Sequence, residues 1–414
     1  MTENAILQKI KYILKRIKKM SNIQLFRSNE NTDADLAAYE KNLFRHRLRN
    51  VLITAGAVAV VLLCFFALRT GIQNRTFDSY EVVKSYERVD TVTTQYTEFQ
   101  DYVLKYSKDG ISCVDSDNEP VWSQTYNMQA PMVHVCRNSV AVAEENGMEA
   151  MIFDASGIQG TIQTRLPICQ ICVSSQGVLA VLLEDGDLMR LNLYDKGGNE
   201  LVTAKFELQD VGYPLRMSLS ADATKLAVAF LQVQDGGVGT CLAFYNFSSV
   251  GENQEDRLVA SKIIKDVVMP KVEYMDATHC FALGTGQLLL FEGAQIPELK
   301  QEITLEKEIL SVFHSEKYIG IVMEGEEQNY ALQVYDTQGS LQFETEFELD
   351  YQTLKFSGDH ILIYNEFECM MLTRKGRVFY QGSFEESISN LYHQSGNSRF
   401  IIMHASRTDQ IRLR

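Results

Sequence analysis

The residues best suited to chemistry in this chain are carboxylates gathered in short turns. They are Glu144-Glu145, Glu184-Asp185-Gly-Asp187, Asp235-Gly-Gly, Glu324-Gly-Glu326-Glu327 and Glu366-Phe-Glu368, each lying between two apolar runs. Clustered carboxylates attract cationic partners and divalent ions. Two at a fixed separation can also hydrolyse a glycosidic bond, but so many surface acids single out no pair. Cys169-Gln-Ile-Cys172 has C-x-x-C spacing. It lies in a strand-like run, where residues three apart face opposite sides, and no second pair stands at zinc spacing. The eight cysteines mostly sit in apolar strand patterns and are expected as buried thiols. His314, His360 and His393 fall at or near equivalent turns, so convergence on a metal is conceivable. There is no G-x-S-x-G elbow, H-E-x-x-H, P-loop or C-x-x-C-H haem site. Gly284-Thr-Gly286 suits a tight hairpin better than a phosphate cradle. No residue is therefore assigned a catalytic, cofactor-binding or metal-ligating role, and no cofactor is expected.

The elements that position these turns repeat. An alternating run, a short turn and a strongly apolar strand recur as TEFQDYVLKYS, VHVCRNSVAVAE, ICVSSQGVLAVLL, MSLSADATKLAVAF, VEYMDATHCFALG, SVFHSEKYIGIVM, LKFSGDHILIYN and NLYHQSGNSRFIIMH. The turns begin at Phe99, Cys136, Ser174, Ser220, Met275, His314, Ser357 and His393. A period near ~40 residues built of short strands signals a β-propeller, one four-stranded blade per repeat. A second element, Asp-x-x-Gly, recurs at Asp154–Gly157, Asp195–Gly198 and Asp336–Gly339, with weaker versions at Asp115–Asn118 and Thr373–Gly376. Asp opens such a turn by accepting a backbone N–H, and Gly supplies positive φ. Each blade thus reads as strand a, turn, b, hairpin, c, Asp-turn, d.

Eight a–b hairpins predict eight blades; seven is the nearest alternative count, and tandem β-sandwiches are the alternative fold. The last blade lacks its outer strand, because the sequence given ends after strand c. The strand-like segment from Tyr80 to Val89 is expected to supply it and close the ring, which hides an edge. Blade four carries extra residues around Gln232 to Gly239 and Ser248 to Asp256. The acidic b–c turns should share one face of the disk with the d–a connections, several of them also acidic: Glu207 and Asp210, Glu306 and Glu308, Glu348 and Asp350, Glu385 and Glu386. The other face has a milder mix, including Lys196, Lys375 and Arg377.

Ahead of the propeller, Val51 to Leu68 reads VLITAGAVAVVLLCFFAL without a charge. Eighteen residues span ~27 Å as a helix, close to the ~30 Å hydrocarbon core. The run starts too late, and is too long, for a cleaved signal peptide. The first 50 residues hold 11 Lys/Arg against 5 Asp/Glu, and the remainder 28 against 49. The positive-inside rule then places the N-terminus in the cytoplasm and the propeller outside. Residues 5–20 (AILQKIKYILKRIKKM) combine an Ile/Leu stripe with six basic residues, which suits an anionic inner leaflet or a helical partner. The expected organisation is a basic cytoplasmic segment with an amphipathic helix over 1–50, a transmembrane helix over 51–69, a linker over 70–79 and an extracytoplasmic propeller over 80–414. The acidic body excludes nucleic acid as a partner.

The Asp-turn followed by a strand, as in Val114-Asp115-Ser-Asp-Asn-Glu-Pro-Val-Trp122-Ser, resembles the quinoprotein-like and WD40-like propellers of bacterial envelopes. The whole layout is similar to bacterial families of single-pass, membrane-anchored propellers with no assigned function. True quinoproteins repeat the tryptophan in most blades; here Trp122 is the only one, which argues against a bound quinone. The expected function is a non-catalytic binding or scaffold module, with an envelope protein as partner. The alternatives are an enzyme binding or cleaving cell-wall polymers, and a sensor reporting to the cytoplasmic helix.

Overall fold

The computed structural model describes residues 44, 46–61, 75–88, 93–234, 236–327, 329–396 and 398–414. They divide into two units, residues 1–74 and 75–414. In the first, residues 46–61 form a helix whose side chains are exposed, among them Val51, Leu52, Ile53, Val58, Val60 and Val61. Among the described residues no helix is long and apolar enough to cross a membrane. The rest of the expected span, residues 62–69, lies outside the described residues, as do the segment 5–20 and Asp235.

The second unit is an eight-bladed β-propeller. Its 32 described strands form eight four-stranded antiparallel sheets. The inner strands are Gln95–Phe99, Pro131–Cys136, Ile168–Val173, Tyr213–Leu219, Lys271–Tyr274, Ile309–His314, Thr353–Ser357 and Asn390–Ser395, in blades 1 to 8. Each expected a–b turn lies at or beside the end of one of them. The extra residues of blade 4 extend its central hairpin, Lys225–Gln234 with Gly237–Asn246, and add short helices at Ser249–Glu252 and Glu255–Arg257. The C-x-x-C run is the inner strand of blade 3, and the described cysteines are all free. Cys136 and Cys169 are only half-buried, not fully buried as expected.

Burial explains the sequence pattern. A b strand is covered on both sides by neighbouring blades, so it is apolar throughout: Val140, Ala141, Val142 and Ala143 are fully buried, as are Ile319 and Ile321. An outer strand meets solvent and alternates, as Leu341–Phe347 does. Each gap between blades holds its own apolar cluster. Phe206 packs on Phe230 and Tyr245 between blades 3 and 4, with ring centroids 5.6 and 5.1 Å apart. Trp122 of blade 1 stacks on Phe153 of blade 2 at 5.0 Å. A fully buried Phe such as Phe230 or Phe153 contributes about 1.5–3 kcal/mol, whereas Trp122 is only partly buried.

The ring closes as expected. Strand β1 (Tyr80–Glu87) pairs antiparallel with β32 (Arg407–Leu413), completing blade 8. Tyr80 packs on Phe384 at 4.8 Å, and backbone bonds join Ser79 and Arg414. The seam between blades 8 and 1 is packed by Val103, Val114, Tyr392, Ile401 and Met403.

Candidate functional site

Two regions are candidates: the acidic face foreseen in the sequence and the central channel, which was not. Antiparallel pairing puts the b–c turns and d–a connections on one face, and backbone bonds between them confirm it. Glu145 N donates to Ala130 O, Glu184 N to Pro167 O, Glu324 N to Glu308 O and Ile388 N to Glu366 O. On this face Glu145, Glu184, Asp187, Glu324, Glu326, Glu327, Glu366 and Glu368 are exposed. Two of the expected acids are engaged: Asp185 pairs with Arg190 at 2.6 Å, and Glu144 accepts from Gln129 N at 3.0 Å. The acids are distributed over blades 2, 3, 6 and 7. Among the described residues no three His, Cys, Asp or Glu side chains gather as a metal site.

The three histidines do not converge. His360 and His393 lie with ring centroids 4.9 Å apart, packed with Phe379 and Phe400. His314 stands in the central channel against Phe281, at 5.5 Å.

The channel is lined by the inner strands. An inner strand has one unpaired edge, and its N–H groups need acceptors. Side chains of the adjacent blade supply several. His134 Nδ1 accepts from Val173 N at 3.2 Å, Gln170 Oε1 from Met217 N at 3.1 Å, Ser218 Oγ from Tyr274 N at 2.9 Å and Ser357 Oγ from His393 N at 2.8 Å. Polar residues on these strands are therefore structural before they are anything else.

Charges on the same strands go further. Glu273 is 5% exposed and carries Arg216 and Lys271 on a single oxygen. Arg216 Nη2 and Nε lie 2.8 and 3.2 Å from Oε1, and Lys271 Nζ lies 3.0 Å from it. A register shift between Pro214 and Arg216 re-aims the arginine, as bulges do. Burial pushes the Glu273 carboxyl up, but Lys271 and Arg216 outweigh it and hold the group at about 2. Burial holds His134 down at about 4 and lowers His314 too, so both rings are neutral near pH 7. Burial pushes the Cys136 thiol up to about 11, away from thiolate reactivity. Across the channel, Lys355 of blade 7 bonds Glu98 of blade 1 at 2.9 Å and Asn390 of blade 8 at 2.8 Å.

One pair spans the ring. Arg137 follows the inner strand of blade 2, and Glu316 that of blade 6. Blades 2 and 6 stand opposite each other in a ring of eight, yet Nε–Oε1 is 2.6 Å and Nη2–Oε2 is 3.0 Å. Beneath this pair lies a cavity of about 310 Å³ lined by Arg216, Lys271, Glu273, His134 and His314. Of these residues the sequence reading singled out only His314, and it passed over Arg216, Lys271, Glu273 and His134. The available signal was charge inside an apolar alternation, as in Arg216-Met-Ser218-Leu and Lys271-Val-Glu273-Tyr.

Residues 73–413 match the family described as a family of unknown function (DUF5711). The fold is similar to that of BamB from Moraxella catarrhalis, at 11% identity and TM-score 0.46, covering 81% of this chain and 100% of that one. It is similar to AztD from Citrobacter koseri, at 9% identity and TM-score 0.47, covering 70% and 86%. It is also similar to Sqt1 from Saccharomyces cerevisiae, at 11% identity and TM-score 0.49, covering 81% and 98%. No curated protein matches the chain.

Proposed function

The chain belongs to the DUF5711 family of unknown function, and from that premise we propose that it is a non-catalytic binding module: a propeller tethered to the cell membrane that docks an envelope protein through its acidic face. The tether in this reading is the apolar segment 51–69, with the N-terminus cytoplasmic and the propeller outside. The basic segment before it lies on anionic lipid.

The observation that carries the docking reading is the disposition of exposed acids on a rigid disk. Glu184, Asp187, Glu324, Glu326 and Glu327 project from b–c turns whose backbones are fixed to their neighbours. The chain enters the propeller at Ser79 and ends at Arg414 on the opposite face, where the a–b and c–d turns lie. A rigid, charged surface favours fast, salt-sensitive association with a basic partner. The enzyme alternative loses support in the channel cavity. Its two carboxylates, Glu273 and Glu316, are both ion-paired, so neither stands free as the acid that glycoside cleavage needs.

Crosslinking in native membranes, followed by purification through a C-terminal tag, tests both parts. A variant with Glu184, Asp187, Glu324, Glu326 and Glu327 changed to Lys should lose at least ten-fold of a specific crosslinked envelope protein. It should still fractionate with membranes that resist alkaline extraction. Undiminished recovery of that partner refutes the acidic face as its dock. Release of the full chain by alkaline extraction refutes the tether.

A further inference from the structure

The channel cavity has a chemistry that the docking reading does not use. Arg216, Lys271 and Glu273 together leave one positive charge in excess, while Arg137 and Glu316 cancel. Both cations spend their bonds on the same oxygen, Glu273 Oε1. Arg216 Nη1 makes no hydrogen bond among the described residues, and an ammonium keeps further donors after one bond. Neither head group is sealed off: the Arg216 side chain is 42% exposed and that of Lys271 27%. His134 adds a neutral donor. Its Nδ1 accepts from Val173 N, so the proton sits on Nε2 at the cavity wall. Leu219 and Met275, both buried, give the wall an apolar part.

We infer that this cavity is a binding site for a small monocarboxylate, held by Arg216 and Lys271 with its hydrocarbon end against Leu219 and Met275. Surplus donors and a net positive charge select an anion. The planar guanidinium fork matches a carboxylate in two-point contact. One excess charge matches one anionic charge, and a second would face the ionised Glu273 carboxylate. About 310 Å³ is at the small end of ligand sites, which run roughly 300–1,000 Å³. The Arg137–Glu316 bridge stands across one mouth, which suits a small ligand and not a polymer strand. The site is independent of both the tether and the acidic face.

The test uses the full chain in mild detergent, titrated calorimetrically with sodium acetate and sodium butyrate. Sodium chloride and inorganic phosphate at matched ionic strength are the controls. Saturable carboxylate binding is expected, tighter for butyrate because of the apolar wall. Arg216→Gln should weaken it at least ten-fold. Glu273→Gln, which raises the local excess to two charges, should tighten it about ten-fold. Opposite shifts from neighbouring substitutions cannot come from general misfolding, and Glu273→Gln alone gives a reading if Arg216→Gln does not fold. Absence of saturable binding overturns the inference. So does equal binding of phosphate, or a Glu273→Gln variant that binds no tighter than the parent.

Discussion

At the scale of single residues, the propeller contains buried groups whose protonation works against folding. His360 is 5% exposed, and neither ring nitrogen has a partner of good geometry; the Gly396 carbonyl nearby is bonded by His393. Burial first, then the neighbouring His393, holds His360 at about 4, and burial holds His134 at the same value. The ordinary value is 6.5. Between these limits the unfolded chain binds protons that the folded chain does not, so stability rises with pH. Stability is whole above about 6.5 and is lost as pH falls toward 4. Glu273 adds a second loss as pH falls from 4.5 toward 2. Thermal unfolding across pH should show the first decline already by pH 5. His360→Phe removes an unsatisfied buried polar ring among Phe379 and Phe400. It should raise stability at pH 7 by about 1 kcal/mol and flatten part of the decline. A variant with the parent's acid profile and lower stability contradicts this account. The Arg137–Glu316 pair belongs at this scale too. Its side chains are 41% and 51% exposed, so losing it should cost under about 1 kcal/mol.

At the scale of elements, the Asp-turn is the device that builds the c–d hairpins of blades 1, 2, 3 and 6. Asp195 Oδ1 accepts from Gly197 N and Asn199 N, both at 2.9 Å; Asp336 Oδ1 accepts from Gln338 N and Ser340 N, also at 2.9 Å. Gly198 and Gly339 take φ of 87° and 81°, the left-handed region that L side chains avoid. Asp336→Ala should lower stability by about 1 kcal/mol, read as a lower urea midpoint with an unchanged slope. An unchanged midpoint would mean that the Gly alone sets the turn. A feature not foreseen in the sequence recurs beside these turns. The c–d pairs of blades 1 to 7 all shift register next to the turn, for example between Cys113 and Val114, Leu193 and Tyr194, or Val334 and Tyr335. A bulge adds twist to an outer strand. It leaves no composition of its own, because any residue can occupy it.

At the scale of the molecule, the closed ring makes its ends as important as its middle. Ile411 and Leu413 on β32 are 1% and 2% exposed and pack into the cluster between blades 7 and 8. Ile411→Ala should cost about 2–5 kcal/mol, although only three residues follow it in the sequence. It should also hasten proteolysis near residues 80–90, where the ring is joined. A loss below about 1 kcal/mol would show that the closing strand is dispensable. Much of this architecture was legible beforehand. The repeat period, Asp-turns and two-sided apolar b strands specify blades, because backbone pairing and burial act on neighbours close in sequence. The closing role of Tyr80–Glu87 was legible for a similar reason: the last blade lacked a strand and an unpaired segment remained. The placement of the acidic turns on one face followed from strand alternation alone. The channel was not legible. Arg216, Lys271 and Glu273 meet His134 and His314 from four blades, and Arg137 meets Glu316 across a separation of 179 residues. Such meetings depend on the number of blades and the angle between them, which are set by the summed packing of every inter-blade cluster. No local pattern records that sum, so the sequence determined the blades and only the closed ring decided which charges face one another.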